Sequence, residues 1–175
     1  MGLDHILFVV ALSAGYFLSD WKKVLVLVTA FTLGHSITLA LATLNIIQVR
    51  SDVVEFFIIA TILIAAVSNI FQSAETSGNR IQLNYFYALF FGLIHGLGFS
   101  NTLRSLLSKN QELITPLLAF NLGLELGQIV IVAMFLLAGF VAVNLLGACR
   151  RDWRIIISSI ILGMALMLIK DRVFW

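Results

Sequence analysis

Apolar runs of bilayer-crossing length follow one another along almost the whole chain, parted only by short polar links. The links are SDWKK, NIIQVRSD, SAETSGNRIQ, RSLLSKNQE and CRRDWR. A membrane span needs ~20 mostly apolar residues, with ~17 as the lower limit. In hydrocarbon every backbone N–H and C=O must find a partner inside the protein, and a helix satisfies both within one segment. Hydrophobic residues make up 61% of the 175 and charged residues 11%, with a mean hydropathy of +1.04. A soluble domain, at ~45–50% apolar and ~25% charged, could not bury so much apolar surface. The reading is therefore an all-α, polytopic membrane bundle of about six transmembrane helices. Residues 1–175 form a single transmembrane domain, with no stretch left for a soluble one.

The runs place span one at Gly2 to Leu18, span two at Val24 to Leu44 and span three at Val53 to Phe71. Span four follows at Tyr85 to Leu103, span five at Gly123 to Leu146 and span six at Ile155 to Ile169. Leu113 to Leu146 is too long for one span and too short for two; as a straight helix it would exceed ~50 Å. Pro116, the only proline, favours a break there. A short interfacial or re-entrant piece is expected over Leu113 to Leu122. Ser73 to Gln82 is the most polar segment and reads as a loop. The first run lacks the basic region of a signal peptide, so it reads as a retained span.

Six spans put both ends of the chain on one side. Lys22, Lys23, Arg80, Arg150, Arg151 and Arg154 then fall opposite the termini. Arg50, Arg104, Lys109, Lys170 and Arg172 fall beside them. The Lys22-Lys23 and Arg150-Arg151 clusters lean toward termini outside. The net charge of +2 is spread over the links and forms no nucleic-acid patch. Cys149, the single cysteine, excludes an internal disulfide framework and a Cys-rich metal site.

Ionisable groups are rare in hydrocarbon and mark ion paths or sites when they occur there. All three histidines of the chain lie in apolar runs: His5 in GLDHILF, His35 in FTLGHSITL and His95 in FGLIHGLGF. A fourth run carries Glu125 in FNLGLELGQ. His35 is flanked on its helical face by Thr32 and Thr38, at i−3 and i+3. Those hydroxyls are placed to hold the imidazole in one tautomer; an interhelical hydrogen bond is the plainer alternative. His95 lies within Gly92-x-x-x-Gly96, a spacing that lets helices approach closely, though the glycines also suit packing alone. Asn121, Glu125 and Gln128 form one stripe, with Gly123 and Gly127 on another side. A buried Glu125 needs a proton, a cation or a metal. Asp4 and His5 point ~100° apart on a helix, so one can be a ligand and the other its orienting group, unless both sit at the membrane surface. On span three, Glu55 and Asn69 stand ~21 Å apart and cannot share a site; Asn69 is placed to bond across helices.

Three imidazoles and a carboxylate suit a divalent metal such as nickel, cobalt or zinc. His35, His95 and Glu125 are the central candidates, with His5 and Asp4 at the entrance. Asn121, Gln128, Thr32, Thr38 and Asn69 are supporting groups. Three functions fit this set. One is a divalent-cation permease. Another is an intramembrane zinc hydrolase with Glu125 as general base. The third is a non-catalytic membrane subunit whose polar groups only fix packing. The expected partners are membrane lipids and the cation, with a second copy or a membrane partner protein left open.

GLDHILF, FTLGHSITLAL, FFGLIHGLGFS and FNLGLELGQ, in this order and spacing, resemble the HupE/UreJ family along nearly the whole chain. RRDW before the last span is similar to a Bacteroidetes-like branch of it. The resemblance implies a multi-pass protein of the bacterial inner membrane and a secondary nickel or cobalt permease. It matches Asp4 and His5 to the family's Asp-His pair, and His95-Gly96 to its later His-Gly motif. The family's histidine upstream of that pair has no counterpart after Met1.

Overall fold

The computed structural model describes residues 2–72, 79–106, 114–170 and 172. Six α-helices account for most of them: α1 (Gly2–Ser13), α2 (Trp21–Thr43), α3 (Ser51–Phe71), α4 (Asn79–Leu106), α5 (Ile114–Phe140) and α6 (Arg150–Lys170). There is no strand among the described residues. The all-helical expectation is met. Among the described residues, four helical segments are long and apolar enough to cross a membrane: Leu18–Thr43, Ser51–Phe71, Thr115–Leu145 and Arg150–Lys170. α1 has only 12 residues, or ~18 Å of rise. It stops at Ser13 rather than Leu18, and a 3-10 turn at Leu18–Asp20 leads into α2. α4 has 28 residues, but Asn84, Tyr85, Tyr87 and His95 interrupt its apolar character.

The expected break over Leu113 to Leu122 is not seen from Ile114 onward; Leu113 itself lies outside the described residues. α5 runs unbroken from Ile114 and continues through a π-helical turn, Val141–Leu145. Pro116 is the reason the sequence misleads here. It occupies the first turn of α5, where the backbone N–H it lacks would have had no intrahelical partner anyway. The polar stretch Ser73 to Gln82 also differs in part: 79–82 belong to α4, and 73–78 lie outside the described residues. Asn45, at φ 62°, closes α2, and Gly147, at φ 75°, precedes α6.

The bundle's outer faces are as apolar as its core. Leu33, Ile64, Leu122, Met134, Ile160 and Met167 are all exposed, as lipid contact requires and water would penalise. Polar side chains turn inward instead. His35, His95, Thr61 and Gln128 are all buried.

α2 and α4 form the most extensive helix pair, and glycines set their separation. A methyl group added at Gly34 would collide with the Leu89 carbonyl, and one at Gly92 with the Phe31 carbonyl. One at Gly96 would strike both the His35 carbonyl and the Thr38 hydroxyl. The two helices run parallel in backbone contact, and Thr38 Oγ1 donates across the seam to the Leu93 carbonyl at 2.7 Å. Elsewhere Asn69 Nδ2 donates to the Ala11 carbonyl at 2.5 Å, tying α3 to α1. Glu55 pairs with Arg172 near the end of the chain.

Candidate functional site

Helix phase, rather than proximity in sequence, brings the three histidines together. His35 and His95 stand on the facing sides of the tightly packed α2–α4 pair, and α1 lays His5 across them. The His5 ring centroid is 5.3 Å from that of His35 and 4.8 Å from that of His95, both edge to face. Phenyl rings close the cluster on several sides. Phe8 lies 4.8 Å and Phe31 5.2 Å from His95, while Phe99 lies 4.7 Å from His5 and Phe120 6.4 Å from His35. His35 and His95 are fully buried, at 0% exposure, and His5 is 5% exposed. Asp4, one residue before His5, is buried as well.

The hydrogen bonds of His95 orient it. Thr61, on α3, donates its single hydroxyl proton to the Ile58 carbonyl at 2.6 Å. The 2.9 Å contact between Thr61 Oγ1 and His95 Nε2 then needs the ring N–H as donor. Nδ1 of His95 is left with a lone pair and no hydrogen-bond partner. Both nitrogens of His35 are likewise without one. Asn121 faces His35 from α5, its Oδ1 unbonded and its Nδ2 donating to the Leu117 carbonyl at 3.0 Å.

The remaining expected site residues lie around this cluster rather than in it. Glu125 Oε1 accepts from Thr29 Oγ1 at 3.0 Å. Thr29 is six residues before His35, so Glu125 meets α2 ~9 Å along its axis and ~120° around it. Thr32 Oγ1 lies 2.9 Å from Gln128 Oε1 and 3.0 Å from the Val28 carbonyl, its one proton shared between them. Neither Thr32 nor Thr38 bonds the His35 imidazole; their hydroxyls serve the α2–α5 and α2–α4 seams. The stripe of Asn121, Glu125 and Gln128 is thus a polar lane along α2. Among the described residues, no group of three His, Cys, Asp or Glu side chains has its donor atoms placed to hold a metal ion as they stand. His5 meets the other two imidazoles edge to face.

Sequence reasoning missed Thr61 and Thr29. Thr61 is the only hydroxyl in the run FIIATILIAA, which was the available signal. We expect Thr61→Val to keep the fold but free the His95 ring. The cost would be about 10–100-fold in metal affinity, the usual range for a group that orients a ligand histidine, read by metal titration of the purified protein.

A family model described as HupE / UreJ protein matches residues 1–170. The chain belongs to the HupE/UreJ family. The match covers all three histidines of this HupE/UreJ chain and the helices that carry them. No curated protein and no solved structure matches the chain.

Proposed function

We propose that this HupE/UreJ protein is a divalent-cation permease of the bacterial inner membrane, with nickel or cobalt as cargo and zinc as the nearest competitor. The observation that carries the reading is the meeting of three buried imidazoles from three helices. Two imidazoles bound to one tetrahedral ion at ~2.0–2.1 Å hold their centroids roughly 5 Å apart, close to the spacing of His5 from His35 and from His95. Small rotations of these rings would turn edge-to-face packing into convergent lone pairs. Asp4 stands beside His5 on the side of the chain's start and supplies a carboxylate at the entrance. Asn121, Gln128 and Glu125 set further oxygen atoms along α2 beside the imidazoles. Transport needs binding strong enough to draw the ion in and weak enough to let it go; a three-imidazole set with carboxyl groups set back from it suits that balance.

The intramembrane zinc hydrolase has less support. Its general base would have to reach a metal-bound water, yet Glu125 is bonded to Thr29, away from the rings. The test is uptake of radioactive nickel and cobalt into vesicles holding the purified chain, together with elemental analysis. We expect near-stoichiometric metal and ion-selective uptake, with His95→Ala lowering uptake at least about tenfold by removing a ligand whose supporting groups alone are worth that much. Protein without stoichiometric metal, and uptake indifferent to His95→Ala, would leave the packing-subunit reading standing instead.

A further inference from the structure

At the end of the bundle away from the imidazoles, a cavity of about 640 Å³ lies among α1, α2, α3 and α4. Its lining includes Tyr16, Asp20, Asn69, Gln72, Asn84 and, at its floor, Phe91. We propose that this cavity is an aqueous vestibule for a hydrated divalent cation, and that Phe91 with Phe8 forms the dry gate between it and the imidazoles. The proposal rests on the permease reading and adds the route.

Three observations support it. First, the walls carry oxygen-rich groups that hydrogen-bond water but do not chelate. Asn84 Nδ2 donates to Tyr16 Oη at 3.0 Å, and Asp20 is neutralised by Lys23 at 2.7 Å. Such a wall can replace outer water around an ion without trapping it. Second, the floor lies one helical turn from the site. Phe91 and His95 are i and i+4 on α4 and so share a face, ~6 Å apart along the axis. Third, the intervening layer is aromatic and closed. Phe91 meets Phe8 edge to face at 5.6 Å, Phe8 stacks on Phe31 at 5.0 Å, and Phe8 lies against His95. Phe8 and Phe31 are 0% exposed, while Phe91 is 9% exposed. Hydrophobic constrictions of this kind gate by excluding water. An ion crossing the layer would exchange its hydration shell for imidazole there.

The test reads thiol accessibility in the full chain reconstituted into vesicles, with Cys149→Ala removing the native thiol. A membrane-impermeant methanethiosulfonate is the probe. Ala65→Cys in the cavity should react at least about tenfold faster than Ile160→Cys on the lipid face, because the reaction needs the thiolate and apolar surroundings suppress it. From the cavity side, Thr61→Cys behind the layer should be inert with Phe91 present, and should become reactive once Phe91→Ala is added. Phe91→Leu provides the same comparison with less loss of packing, and Ala65→Cys needs no core change. If Ala65→Cys is no faster than Ile160→Cys, the vestibule is overturned. If replacing Phe91 leaves Thr61→Cys unchanged, the gate is overturned. Uptake with a silent Ala65→Cys defeats this proposal alone; a labelled Ala65→Cys without uptake defeats the permease reading and the cation route with it, and leaves only a water-filled cavity.

Discussion

His35→Leu will yield a more heat-stable protein that carries no ion. His35 is completely buried, and neither ring nitrogen makes a well-formed hydrogen bond, Asn121 being the polar side chain that faces the ring. A buried polar group left unbonded costs ~1–3 kcal/mol, and a leucine of comparable volume removes that cost while keeping contact with Phe31, Phe99 and Phe120. For a chain of 150–250 residues each kcal/mol is worth about 2–4 °C in Tm, so a rise of several degrees is expected in a thermal melt of detergent-solubilised protein. Uptake should fall to the protein-free background. Stability and activity moving in opposite directions is the mark of a residue retained for function. A lower Tm with uptake preserved would make His35 a packing residue and remove the centre of the proposed site.

How much of this could be read in advance differed from element to element. The helices were legible because hydrocarbon admits so few backbone solutions. α3 and α6 fall within a few residues of their expected limits. The short α1 and the unbroken α5 were not legible. Gly2 to Leu18 is mostly apolar beyond His5, yet its helix stops when the chain must turn back into α2. Pro116 breaks a helix interior but not a first turn, and composition cannot say which of these it occupies. At the site, His5, His35 and His95 stood out because an imidazole in an apolar run is costly wherever it points. Glu125 stood out for the same reason but faces Thr29. Its phase around α5 depends on packing against α2, which no spacing rule supplies. Thr61 was hidden because a threonine in a membrane helix usually bonds its own backbone, and this one does so while also receiving the His95 N–H.

The two glycine pairs show most directly where sequence pattern stops and packing begins. Gly92-Gly96 on α4 and Gly123-Gly127 on α5 have the same spacing, and both suit close helix approach. Their environments are opposite. Gly96 sits against the His35 carbonyl and the Thr38 hydroxyl; at Gly123 and Gly127 an added methyl meets nothing within 4 Å. Gly96→Ala should therefore destabilise by at least ~1–3 kcal/mol, the usual cost of overfilling a packed interior. The obstacle is backbone oxygen, so relief requires α2 and α4 to separate. That movement would draw the Thr38 hydroxyl from the Leu93 carbonyl and carry His35 away from His95, so uptake should fall with Tm. Gly123→Ala and Gly127→Ala should be neutral or raise stability by up to ~1 kcal/mol through helix propensity alone, with uptake unchanged. The measurement is a paired one, thermal melts and uptake for all three variants in one vesicle preparation. Equal loss at Gly123 and Gly96 would mean that α5 packs against something through its glycine face, and that the α2–α4 seam is not what fixes the spacing of the imidazoles.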